Sequence, residues 1–115
     1  MENLPRALHS QQGPLAKCLE AFNRARHIRA VYLFGSHARG EARPESDVDL
    51  CIVADGAEVQ STAARDFRRE IWDIWPKPAL TLVPISPARL EEKKSCGDHF
   101  FQTVLTEGLL LATEN

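Results

Sequence analysis

Long apolar runs are missing from this chain. No stretch approaches the roughly 20 residues that a membrane-spanning helix requires, and no charged-then-apolar leader opens it. A cytoplasmic protein with no membrane role is therefore expected. An excess of basic charge is missing too: 14 Lys and Arg stand against 16 Asp and Glu, for a net charge of −2. A general nucleic-acid binder would carry a basic face, so nucleic acid is not expected as a general ligand. Cysteine is scarce and unpatterned. Cys18, Cys51 and Cys96 are odd in number and contain no Cys-x-x-Cys pair, which excludes a disulfide framework and a zinc site. The histidines (His9, His27, His37, His99) lack ligand spacing as well. Internal repeats and low-complexity tracts are absent. What remains, 43% hydrophobic and 26% charged residues over 115 positions, is the make-up of one ordinary globular domain with a single core.

Within that plain background one segment is unusual. The apolar run from Val31 to Phe34 leads into Gly35-Ser36, and ten residues later Asp47-x-Asp49 opens a second apolar run, Leu50-Cys51-Ile52-Val53. Residues i and i+2 of a strand point to the same face, with Cα atoms roughly 6.5 Å apart. Asp47 and Asp49 can thus converge on one site while Val48 and Leu50 turn to the core. Two anions so close repel, and one pKa rises unless a cation lies between them. Mg²⁺ suits that role, because it is held by one or two carboxylates plus substrate phosphates and keeps several waters. A pair of such ions about 3.5–4 Å apart can clamp the attacking and leaving oxygens of an in-line displacement.

The Gly-Ser turn complements the acids. Gly35 removes a Cβ where a phosphate must approach the backbone, and it permits unusual dihedral angles. A helical turn starting at Ser36 aims its N–H groups and the Ser36 hydroxyl at an anion, and Arg39 can add a bidentate contact. Alone, a Gly-Ser or an Asp-x-Asp is an ordinary turn. Here strand, turn, spacing and second strand agree. His37 within the turn reads either as a phosphate contact or, the plainer alternative, as a surface residue.

These residues, with Ala38-Arg39-Gly40 between them, resemble the signature of the DNA polymerase β-like nucleotidyltransferase superfamily, and the length is similar to that of its minimal nucleotidyltransferases, the MNT group. The resemblance is dense from Val31 to Val53 and looser as far as Leu111. It implies an α+β fold with a small mixed sheet and helices packed mainly on one face. It also implies that Gly35 and Ser36 grip a triphosphate, that Asp47 and Asp49 are the catalytic metal ligands, and that a third acid on a later strand joins them and helps deprotonate the acceptor hydroxyl. The third strand is expected over 79–83, where the matching position is Thr81. No Asp or Glu occurs between Ile74 and Leu90, so no shift of alignment supplies the acid. Threonine cannot act as a base near neutral pH, and losing a positioned base typically costs about 10²–10⁴-fold in rate.

Around this segment the chain reads as a loose or partly helical N-terminal arm (1–13), a single nucleotidyltransferase domain (14–112) and a short tail (113–115). A helix is expected over 14–26, with Leu15, Leu19 and Phe22 at apolar spacing. Arg24, Arg26 and Arg29 near its end suit the helix dipole, and a nucleic-acid patch is the sharper alternative. A second helix over 57–75 has Val59, Ala63, Phe67, Ile71 and Ile74 or Trp75 on one face and Arg65, Arg68 and Arg69 on the other. Trp72 and Trp75 complete the core in the plainer reading and anchor a protein interface in the sharper one. Further helices start at Pro87 and near Gly97, and Gly108 is expected as a C-terminal cap before a strand over 109–111.

The resemblance implies transfer of a nucleoside monophosphate from a nucleoside triphosphate, ATP by expectation, to a hydroxyl on a partner macromolecule. Minimal members pair with a small helical protein of the HEPN class in toxin–antitoxin style, with this chain as the antitoxin. The alternative is a catalytically weak binding subunit that neutralises a helical partner by occlusion, since Thr81 replaces the third carboxylate. An antibiotic-modifying transferase is a weaker third reading. Homo- or hetero-oligomers are open.

Overall fold

Four short apolar segments pair into one mixed sheet, and the helices between them cover its two faces unequally. The computed structural model describes residue 1 and residues 3–114. A 3-10 helix (Arg6–Gln11) leads into α1 (Gln12–Ala25), followed by β1 (Ile28–Phe34), α2 (Ser36–Arg39), β2 (Val48–Ala54), α3 (Gln60–Glu70), β3 (Leu80–Ile85), α4 (Pro87–Ser95), α5 (His99–Glu107) and β4 (Leu109–Thr113). The strand order is β3-β2-β1-β4. β1 runs antiparallel to both β2 and β4, while β2 and β3, joined through α3, are parallel. Pro84 lies inside β3 because β3 is an edge strand, where a missing N–H breaks no ladder.

Strand alternation divides the core in two. Val31 and Leu33 of β1, Leu50 and Ile52 of β2, and Leu80 and Leu82 of β3 join the main core with Leu15, Cys18 and Phe22 of α1 and Ala63 and Phe67 of α3. The Phe22 and Phe67 rings meet edge to face at 5.2 Å. On the opposite face Cys51, Val53 and Ile85 pack with Phe101 and Val104 of α5 in a smaller cluster. β2 is buried on both faces, as its unbroken apolar run implies. Burial pushes the Cys51 thiol up to about 12, so it behaves as a small hydrophobe.

Several expectations change at the element ends. The N-terminal segment is not a loose arm: the 3-10 helix continues into α1, and Leu4 and Leu8 are buried in the main core. The last strand extends to Thr113, into the expected tail. α3 stops at Glu70, well short of Trp75, and Trp72 and Trp75 are 86% and 83% exposed rather than in the core. The helical period explains Trp72. On the helix expected over 57–75, at 100° per residue, it would lie about 140° from Phe67 and within about 60° of Arg65, Arg68 and Arg69, and the turn after α3 keeps it on that outer side. Gly108 does stand at the C-cap of α5, its N–H bonded to the Val104 carbonyl at 2.8 Å, but in an extended rather than left-handed conformation, with φ −68°. Its lack of a side chain matters because a Cβ there would run into the Val104 carbonyl.

Replacing Leu8 with Ala should lower stability by about 2–5 kcal/mol, as for other buried leucines. Urea unfolding checks this through a lower midpoint at unchanged slope. A midpoint equal to that of the unsubstituted protein would remove the N-terminal segment from the core.

Candidate active site

The register of the central strands assembles the site. Phe34, the last residue of β1, is paired with Asp49, and Asp49 is paired on its other side with Thr81 of β3. These three residues share the face opposite the main core. Asp47 immediately precedes β2, and its Oδ2 accepts a hydrogen bond from the Thr81 hydroxyl at 3.3 Å. The carboxylate pair therefore sits at the N-terminal mouth of β2, next to the turn that leaves β1.

That turn is shaped by glycine. Gly35 has φ 75° and ψ −153° and caps α2, and a Cβ built on it would overlap the Asp49 carboxylate. Glycine is thus required twice, by backbone conformation and by the approach of Asp49. Within α2 the first backbone bond runs from the Arg39 N–H to the Gly35 carbonyl. The N–H groups of Ser36, His37 and Ala38 head the helix without intrahelical partners. Gly40, in the left-handed region, ends the turn. The loop back to β2 is fixed by a tight turn in which the Ser46 N–H donates to the Arg43 carbonyl at 3.0 Å and the Arg43 N–H donates to Ser46 Oγ at 2.9 Å. Pro44 occupies the turn position that its fixed φ favours.

Electrostatically the site holds unbalanced negative charge. Burial pushes the Asp49 carboxyl above its usual range, and the neighbouring Asp47 charge adds to the shift. The Thr81 hydroxyl, His37 and Arg39 pull the other way. Among the described residues no third His, Cys, Asp or Glu joins the pair to complete a protein-only metal cage. The donor set is two hard carboxylates opening to solvent, which fits Mg²⁺ completed by phosphate oxygens and water and does not fit a closed structural metal.

The structure brings Gly35, Asp47, Asp49 and Thr81 together and places Ser36 at the head of α2 beside them. Arg39 is exposed, with its Nε directed to Glu41 at 3.2 Å, so a ligand would have to draw it from that ion pair. His37 is not a surface residue: it is 7% exposed, with Nε2 3.4 Å from the Ser46 carbonyl oxygen. It packs against the 43–46 turn, which the sequence spacing did not disclose. Phe34 and Phe100 were also missed as neighbours of the acids. Their rings meet edge to face at 5.5 Å on the Asp49 side of the sheet. The alternation of β1 placed Phe34 there, but the contact with α5 is long-range. A cavity of about 560 Å³ lies behind the turn, lined by Leu8, His37, Arg43, Ser46, Val48 and Ala79, and neither carboxylate lines it. The arginine cluster at the end of α1 is neutralised. Arg24 pairs with Glu70, Arg26 with Asp66, and Arg29 with Asp55 and Glu114, which leaves no basic patch there.

Comparison with known proteins gives this geometry a setting. Residues 16–115 match the family model for "Polymerase beta, Nucleotidyltransferase". Over 84 residues, 71% of this chain, the sequence is 39% identical to a bifunctional uridylyltransferase/uridylyl-removing enzyme of Methylococcus capsulatus, and the matched part is 9% of that protein's length. A crystal structure provisionally described as a nucleotidyltransferase, from Sulfolobus solfataricus, has the same fold. Its TM-score is 0.53 at 18% identity, with 99% of this chain and 93% of that chain covered. A toxin-antitoxin crystal structure with AMP-PNP aligns more loosely, with a TM-score of 0.47 at 20% identity over 85% of this chain and 73% of that one, too loose to support an argument.

Two outcomes follow from the geometry. In metal-free protein, Asp49→Asn should raise the thermal midpoint at pH 7. The folded-state pKa of Asp49 lies above its ordinary value, so ionising it opposes folding, and stability falls as pH rises through that interval. The advantage of Asn should shrink as pH drops below the ordinary carboxylate range, and equal midpoints at both pH values would contradict it. Gly35→Ala should destabilise by about 1–3 kcal/mol from backbone strain and overlap. In an Asp49→Ala background the same change should cost less, because only the strain remains; a purely additive double-mutant cycle would show that the two residues do not meet.

Proposed function

The chain belongs to the polymerase β-type nucleotidyltransferase family, and from that premise we propose that it binds a nucleoside triphosphate with Mg²⁺ and transfers a nucleoside monophosphate, AMP by preference, to a hydroxyl on a partner macromolecule. The observation that carries this reading is the pair of acids at the mouth of β2, with Asp49 against Gly35 and Asp47 bonded to Thr81, the residue paired with Asp49. Asp47 and Asp49 would hold the ion, which when bound offsets the paired negative charge and polarises phosphate oxygens. The head of α2 and the Ser36 hydroxyl would hold the phosphates, and Arg39, released from Glu41, would steady the triphosphate.

In the transfer, the acceptor oxygen forms a bond to the α-phosphorus while the bond to the bridging oxygen of pyrophosphate breaks. The acceptor proton passes to solvent, since the Thr81 hydroxyl is a hydrogen-bond donor to Asp47 rather than a base. Phosphoryl transfer depends mainly on positioning and electrostatics, so a site without a base can still act, slowly. Among the described residues no second lobe faces the carboxylates, which favours an acceptor presented by a separate molecule or segment. A helical protein of the HEPN class, in a toxin–antitoxin arrangement, is the partner to test first.

A second reading has its own observation. Thr81 stands in register with Asp49 and bonds to Asp47, which makes a stable two-acid site suited to holding nucleotide without fast turnover. The protein would then bind and occlude its partner.

Incubation with α-labelled ATP and Mg²⁺, with and without co-expressed partner, separates the readings. Transfer predicts label on the partner, abolished by Asp49→Ala and raised roughly 10²-fold or more by Thr81→Asp as a base is restored. No label with either the unsubstituted protein or Thr81→Asp, together with a tight complex indifferent to ATP, would overturn transfer in favour of occlusion.

A further inference from the structure

We propose that the outer face of α3, with the turn that follows it, is a docking surface for a partner protein presenting an acidic segment with apolar side chains, and that it holds this partner at the β3 edge of the sheet. The docking itself stands apart from the transfer reading; only its use in presenting an acceptor rests on that reading.

α3 sorts its charges by face. Asp66 and Glu70 turn inward and pair with Arg26 at 2.7 Å and Arg24 at 3.4 Å. Arg65, Arg68 and Arg69 turn outward and, among the described residues, form no ion pair with a carboxylate. Trp72 continues this stripe and is 86% exposed, and the exposed Trp75 follows with Lys77 Nζ 6.0 Å from its ring centroid. Ser61, Ala64, the three arginines and Trp72 line an open groove of about 750 Å³. Singly exposed apolar residues need no explanation. Two exposed tryptophans beside three arginines without a carboxylate partner are different, because Trp and Arg are the side chains that dominate binding energy at protein interfaces.

Charge complementarity identifies the occupant. Arg65 and Arg69 are exposed and, among the described residues, form no ion pair, and the exposed Arg68 beside them spends one nitrogen on the Leu80 carbonyl, on a chain whose net charge is −2. Such a local surplus selects an acidic partner and speeds its encounter. The groove is lined by six residues, and the exposed Trp72 and Trp75 are anchors of the kind enriched at protein interfaces. That favours a protein segment over a nucleic-acid strand. At the open edge of β3, Arg68 Nη2 donates to the Leu80 carbonyl at 3.0 Å and so occupies one of the edge acceptors. The same bond ties the groove to the site. Leu80 precedes Thr81, whose hydroxyl reaches Asp47 at 3.3 Å.

Trp72 and Trp75 are the chain's two tryptophans, so intrinsic fluorescence reports the surface directly. The full chain is titrated, without nucleotide, with a synthetic amphipathic peptide of Glu and Leu at helical spacing, and separately with oligouridylate. A saturable fluorescence change is expected with the peptide. It should weaken about tenfold or more in the Arg65→Glu/Arg69→Glu variant and with added salt, and it should be largely kept in Arg65→Lys/Arg69→Lys. Circular dichroism confirms that each variant is folded, and Arg68 stays intact because of its bond to Leu80. No saturable change, or binding indifferent to charge reversal, overturns the proposal, as does a response to oligouridylate in place of the peptide. Because nucleotide is absent, failure of AMP transfer leaves this result standing.

Discussion

The contact between the Asp49 carboxylate and the bare Cα of Gly35 fixes the rest of the site. Any side chain on residue 35 would displace the acid, and any other backbone conformation would swing α2 away from β2. The antiparallel register of β1 and β2 makes the contact possible by pairing Phe34 with Asp49. A slip of one residue would exchange the two faces of β2 and turn Asp49 into the core. The main core forbids that slip, because Leu50 and Ile52 are fully buried against α1 and α3. Packing on one face of the sheet therefore holds the chemistry on the other.

This arrangement opposes the protein's own stability. Burial and the Asp47 charge both disfavour the ionised form of Asp49, and no lysine or arginine bonds to either acid among the described residues. At the other end of the sheet, by contrast, close charges are paired: Arg26 with Asp66, and Arg29 with Asp55 and Glu114. The contrast is informative. Leaving two adjacent carboxylates without a protein cation makes sense where an external one is to bind, and strain held at a site by a rigid surround is a usual mark of function. The surround here is the strand β2, buried on both faces.

Much of this was legible in the sequence because its signals are local. Strand periodicity put Asp47 and Asp49 on one side, glycine chemistry located the turn, and the absence of any acid between Ile74 and Leu90 singled out Thr81. The misreadings share a cause in long-range packing. Leu4 and Leu8 looked like part of a polar arm because two apolar residues make no periodic stripe, yet both are buried in the core, Leu8 on a 3-10 helix and Leu4 just before it. His37 is buried by a turn nine residues away. Trp72 is the exception, since its helical phase already grouped it with the arginines; hydrophobicity outweighed geometry in that reading.

Thr81 shows how a conservative fold can accommodate a chemical departure. A threonine on a strand satisfies β-sheet preference, and its hydroxyl donates to Asp47, giving one carboxylate oxygen a partner that another acid could supply only in protonated form. The hydroxyl also moderates the upward shift of Asp49. The site thus exchanges a third negative charge, with its mutual repulsion, for a neutral hydrogen bond that steadies the remaining two. On the proposed function, such a site would bind an ion and phosphates with less self-repulsion in the empty state, at the expense of a group able to accept the acceptor's proton, and the speed of transfer would come to depend on how well the acceptor is positioned.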